Sequence, residues 1–206
     1  MKPALSFFSF LTHPLLQGFF LIYILFFASP SGYYYYLTPG ELKTKFFSFA
    51  FLFLFFLPLL SSWTGIRLIF NKKNFFIFSK YERIIYYLVF ILFFFTFWFT
   101  IKDIIFLRHI SFLVFSGIIF LSLGAVALPS LKVSVHAGGN AILLIFVIWG
   151  WAGHLLVEDL VVLYYFIIAG LAGSVRIFSG DHTLPEVVWG YITGFMSYIS
   201  AWWILS

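Results

Sequence analysis

The sequence predicts an all-α integral membrane protein, a polytopic bundle of about six or seven transmembrane helices. Two observations predict it. The chain is 63% hydrophobic with 9% charged residues and has a mean hydropathy of +1.08, against about 45–50% apolar content in a soluble domain. Its apolar residues also form continuous runs, as at 46–60 and 84–101, not the apolar–polar alternation of a closed barrel. Backbone groups in lipid must be satisfied within their own segment, so such runs become helices.

A span needs about 20 mostly apolar residues. The candidates, in order, are 12–29, 45–66, 84–101, 111–129, 137–155, 159–175 and 184–204. Lys2 precedes the first, but no small-residue cleavage site follows, so 15–28 reads as a retained helix and not a signal peptide. Pro30, Gly32, Pro39 and Gly40 punctuate the next loop. The polar stretch 71–80 separates the second and third spans, and Lys102, Arg108 and His109 precede the fourth. Gly138 and Gly139 open the fifth, where small residues permit close approach of a helix or ligand. Glu158 and Asp159 are expected to cap the sixth, and Asp181 the last. Several runs are short, so six spans are also possible. With no internal repeat and no linker, 1–206 reads as one domain.

Phe, Tyr and Trp supply lipid-facing bulk and interfacial belts. The absence of Cys excludes disulfides and thiolate chemistry. The formal charge of +5 fits membrane topology and anionic headgroups, with no nucleic-acid partner expected.

Against this apolar background two polar stretches stand out. One holds Lys132, Ser134 and His136; the other holds Ser174, Arg176, Asp181, His182 and Glu186. With seven spans, the 130–136 turn and the 176–183 loop share one membrane face with the N-terminus, Lys80 and Arg83. Loops 30–44, 102–110 and 155–158 share the other face with the C-terminus. The positive-inside rule does not orient the site. The site-bearing face holds eight Lys and Arg against four, but without Lys80, Arg83, Lys132 and Arg176 the count is four against four.

His182 and Glu186 are four residues apart at the start of a helix, so they share a face. A carboxylate there accepts the ring N–H and fixes the tautomer of a nucleophilic imidazole. Pro185 suits a first helical turn, and a helix N-terminus favours an anion. The Arg176 guanidinium can bind two phosphate oxygens at once. Lys132 and Ser134 can complete an oxyanion cradle, with His136 as general acid. A metal site made of His136, His182 and Glu186 is an alternative, although Arg176 and Lys132 favour an anion over a cation. His13, His109 and His154 read as structural or interfacial.

The pattern resembles the type-2 phosphatidic-acid phosphatase superfamily, in a divergent bacterial membrane branch. The family's third motif is Ser-Arg, five residues, His, three residues, Asp. Arg176, His182 and Glu186 match its spacing, with Ser174 displaced by one position and Glu in place of Asp. The second motif, Pro-Ser-Gly-His, keeps Ser134 and His136 but not Pro or Gly. The first, Lys, six residues, Arg-Pro, has only Lys80 and Arg83 as its nearest equivalent. A Lys just before the second motif and the His13-Pro14-Leu15-Leu16 string also resemble that branch. The match is best over 130–204.

The resemblance implies a phosphatase-like helical core in a bacterial inner membrane. It implies a metal-independent phosphatase or phosphotransferase acting on a membrane lipid phosphate, with no cofactor. His182 would form a phosphohistidine, His136 would protonate the leaving alcohol and Glu186 would orient His182. Arg176, Lys132, Ser134, Arg83 and Lys80 would bind the phosphate. A non-catalytic membrane subunit retaining a degenerate phosphatase fold, with a protein partner the sequence does not identify, is the alternative.

Overall fold

A computed structural model describes residues 2–29, 32–70, 80–128, 130–154 and 157–206. All regular elements among the described residues are helical. In order they are α1 (Lys2–Leu11), α2 (Pro14–Tyr23), α3 (Tyr33–Leu37), α4 (Gly40–Ala50), α5 (Leu57–Phe70), α6 (Lys80–Ile101), α7 (Arg108–Ala127), α8 (Val135–Trp149), α9 (Asp159–Phe178) and α10 (Leu184–Leu205). A widened turn over Phe51–Phe56 joins α4 to α5, and another extends α2 to Ala28.

Five helices are long and apolar enough to cross a membrane: Gly40–Gly65, Tyr81–Ile101, Ile105–Ala127, Val135–Gly153 and Asp159–Phe178. A sixth arises if Leu5–Leu11 and Pro14–Ala28, bent by 46°, count as one span. Of the six or seven expected, five helices are thus long and apolar enough on their own, and the bent pair makes six. Within 12–29 only Pro14–Ala28 is helical, too short to span alone; Pro14 starts this helix after the bend and His13 caps it, Nδ1 accepting the Leu15 N–H at 3.3 Å. Helix α10 is 22 residues long but is not among the spans. Its Gly, Tyr, Trp and Ser residues dilute the aliphatic content. The long apolar helices make this an integral membrane protein. The loop expected at 71–80 lies outside the described residues except for Lys80.

Helix α10 packs on α7 and α8, and α6 packs on α7. The α8–α10 crossing brings backbone against backbone. A Cβ at Gly194 would collide with the Gly138 carbonyl, and one at Gly190 would lie 2.7 Å from the Ser134 carbonyl oxygen. Small residues are what permit such an approach. On α6 the outward Leu88, Leu92, Phe95 and Phe99 are exposed, as a lipid-facing stripe requires.

The two ends of the bundle differ in chemistry. At one end the Ser134 N–H donates to the Glu186 carbonyl at 3.1 Å, joining the turn before α8 to the start of α10. At the other, Ser29 Oγ donates to Glu158 Oε1 at 3.2 Å, and Arg108 Nη2 donates to the Ser206 carbonyl at 2.9 Å. These contacts place the Ser134 turn and the start of α10 at one end, and Ser29, Glu158 and Ser206 at the other. Glu158 directs its carboxylate to Ser29 and makes no side-chain cap on α9. His109 packs among the rings of Tyr33, Phe112 and Trp149, away from the polar cluster.

Candidate active site

Three helix ends and one helix break meet at the polar end. Ser134 is the N-cap of α8. It is fully buried and its Oγ accepts the Ala137 N–H at 3.4 Å, so the helix start uses its lone pair. Arg176 lies in the last turn of α9. Its carbonyl accepts the N–H groups of Asp181 and His182 at 3.2 and 3.1 Å, and Gly180, at φ +74°, makes the reversal between them. A residue with a Cβ rarely adopts that conformation.

Thr183, not Asp181, caps α10. It forms a capping box with Glu186, whose Oε2 accepts the Thr183 N–H at 2.9 Å. The same oxygen lies 3.1 Å from His182 Nδ1. An ionised carboxylate only accepts, so Nδ1 carries the proton and Nε2 keeps its lone pair. One Glu oxygen thus fixes both the helix start and the imidazole tautomer.

The cations gather around this helix start. Lys132 Nζ donates to the Asp181 carbonyl at 2.5 Å. Arg176 Nη1 donates to Ser9 Oγ at 3.0 Å and pairs with Asp181 Oδ2 at 3.0 Å. Arg176 Nε is buried with no hydrogen-bond partner among the described residues. Burial lowers the pKa of Lys132, and the nearby Arg83 charge lowers it further, while Glu186 opposes both. The Arg83 charge therefore acts at this end. The Lys80 side chain lies outside the described residues. Burial also pushes the His182 pKa down to about 4, helped by Lys132 and Arg176 and opposed by Glu186. The imidazole is consequently neutral at physiological pH.

His136, in the first turn of α8, faces a residue that sequence reasoning set aside. Its ring lies 4.8 Å from the His13 ring, edge to face at 82°. The Thr12–Pro14 break is fastened to α8 by Asn140, whose Nδ2 donates to the Thr12 and His136 carbonyls at 2.8 Å each. Pro14 covers Gly139 so closely that a Cβ there would collide with its ring. Ser9 and Asn140 at this cluster were not singled out by the sequence, and His13 was read as structural. The only signal was the His13-Pro14 string itself, which marks a helix start but not what that start packs against. Ser174, the displaced motif serine, donates to its own helix at the Gly170 carbonyl and is exposed.

Among the described residues no group of three His, Asp or Glu side chains converges as metal ligands would. The metal reading of His136, His182 and Glu186 therefore lacks a donor set. What the arrangement can do is receive an anion beside a neutral imidazole. Comparison with protein-family models, curated proteins and solved structures gave no match.

Proposed function

We propose that the protein is a metal-independent lipid phosphatase of the type-2 phosphatidic-acid phosphatase kind, set in a bacterial inner membrane. The observation that carries the reading is the His182–Glu186 contact at 3.1 Å, with Lys132 and Arg176 grouped beside it at one end of a membrane bundle. Fixed cations offset the charge that develops on a transferring phosphoryl group. In the first step the Nε2 lone pair of His182 forms a bond to phosphorus. The ester P–O bond breaks, and His136 relays the proton of the phosphate monoanion to the leaving oxygen. In the second step His136, still neutral, takes a proton from water. That water's oxygen bonds to phosphorus as the N–P bond breaks, releasing inorganic phosphate.

One observation favours the alternative of a non-catalytic membrane subunit. Asp181 already engages both cations, its carboxylate on Arg176 and its carbonyl on Lys132, as a purely structural network would. The deciding experiment is phosphate release by purified protein from a panel of lipid phosphates, with EDTA present and His182→Ala as control. Release that resists EDTA and vanishes in the variant is expected. Absence of release from every lipid would leave the subunit reading.

A further inference from the structure

A cavity, partly open to the outside, starts at the candidate site and runs away from it between the helices. Its volume is about 120 Å³, and α2, the α4–α5 junction, α6, α7 and α8 line it. His13 belongs to both places: its ring touches His136 and also forms part of the cavity wall. The other side chain with a polar atom in that wall is Tyr86, in the second turn of α6 at the same end. Beyond them the wall is hydrocarbon, reaching Ile22 on α2, Phe94 on α6 and Ile110 on α7. Gly18 and Gly117 leave the space open along the way.

Polar at the site end and apolar beyond it, the wall has the polarity of an amphiphile. Ordered water needs two to four polar partners, which the deep part lacks. His13 and Ile22 are nine residues apart, about 14 Å of helix rise, or roughly half of a ~30 Å hydrocarbon core. The volume is close to that of an engineered apolar cavity of ~150 Å³ that admits one benzene ring. That leaves no room for two chains side by side.

We infer that this cavity binds one hydrocarbon chain of a lipid phosphate, threaded inside the bundle with its polar end at His13. A second chain, where the lipid has one, stays outside in the bilayer. For the headgroup alone this rests on the phosphatase reading; the chain site stands on the cavity.

The test is photolabelling in lipid nanodiscs with decyl phosphate carrying a diazirine at the far end of its chain. The inactive His182→Ala protein is used, so turnover plays no part. Expected adducts lie on Ile22, Phe94 and Ile110, and unlabelled dodecyl phosphate suppresses them. Gly18→Leu fills the cavity part-way along α2. Its added Cβ meets Leu143 Cδ2 at 3.7 Å, an ordinary contact, so the backbone admits a side chain there. Loss of the deep adducts in that variant is expected. Labelling confined to the outward Leu88, Leu92 and Phe95, or deep labelling unchanged by Gly18→Leu, would overturn the inference. Replacing the probe by the matching alcohol tests the headgroup. Weaker deep labelling with the alcohol ties the chain site to the phosphate site. Equal labelling keeps the chain site and counts against the phosphatase reading.

Discussion

The rings of His13 and His136 meet edge to face with centroids 4.8 Å apart. His13 is thereby part of the wall around the proposed general acid, although 122 residues separate the two in sequence. Because His13 Nδ1 accepts the Leu15 N–H, its neutral ring carries the proton on Nε2. The ring is thus held in one orientation against His136.

Replacing His13 is expected to impair proton delivery more than phosphate binding. His13→Asn keeps a good helix N-cap but removes the ring contact. Turnover of alkyl phosphates should fall about 10–100-fold, less than the roughly 10²–10⁴-fold that a proton-transferring group itself contributes. An aryl phosphate, whose leaving group needs no proton, should be nearly unaffected. Equal losses on both substrates would reduce His13 to a structural cap.

Glu186→Gln keeps an acceptor for the capping box but removes the charge that holds Nδ1–H. The expected loss is about 10²–10⁴-fold in kcat with little change in KM, as for other orienting carboxylates. Thr183→Ala is the matched control. It removes the hydroxyl half of the box and lowers stability by about 1 kcal/mol, with the His182–Glu186 contact kept. Thermal melts and steady-state kinetics on the two variants separate the functions of that one carboxylate.

Asp181 is an internal anion on Arg176, with its side chain 47% accessible. A partly exposed ion pair is worth up to about 1 kcal/mol, so Asp181→Asn should tighten inorganic phosphate binding by no more than about fivefold. Arg176→Lys should abolish most binding, because an ammonium lacks the bidentate fork. Titration with phosphate measures both; weaker binding in Asp181→Asn would make that residue a support for the anion site, not a competitor.

The pH dependence follows from His182. Its pKa of about 4 in the folded protein lies below the ordinary 6.5. Between those two values the unfolded chain holds more protons, so acidification through that window favours unfolding and stability from this group is flat above it. The acid limb of the kcat/KM profile should reflect the lowered pKa, not the ordinary one. Lys132→Met removes one of the cations that depress it and should shift that limb upward. A limb unmoved by the variant would place Lys132 out of electrical reach of the nucleophile.

Much of the bundle was legible because apolar runs in lipid have one backbone solution. The pairing of His182 with Glu186 was legible for a local reason, since residues four apart on a helix share a face. What escaped was non-local or depended on competition. The bend at Thr12–Pro14 reads as a helix start, but its packing on Gly139 and Asn140 has no local signature. Asp181 was expected to cap α10; Thr183 caps it because Glu186 sits three residues after it and completes the box. Ser134 was expected to face phosphate; buried, it caps α8 instead, with its hydroxyl proton still to be placed. Helix α10 misses the apolar content of a span because it trades aliphatic residues for Gly, Tyr, Trp and Ser, and its glycines let it touch α8.

That trade has a mechanical side. His136 and His182 sit at or just before the starts of two helices that cross where Gly194 meets Gly138, about 12 Å of helix rise below Glu186. The crossing acts as a fulcrum without clearance. A single methyl group at position 194 would open the two helices like a pair of shears, moving the two imidazoles apart while leaving each in its own local setting. The spacing of the two imidazoles is thereby gauged at a point that touches neither residue.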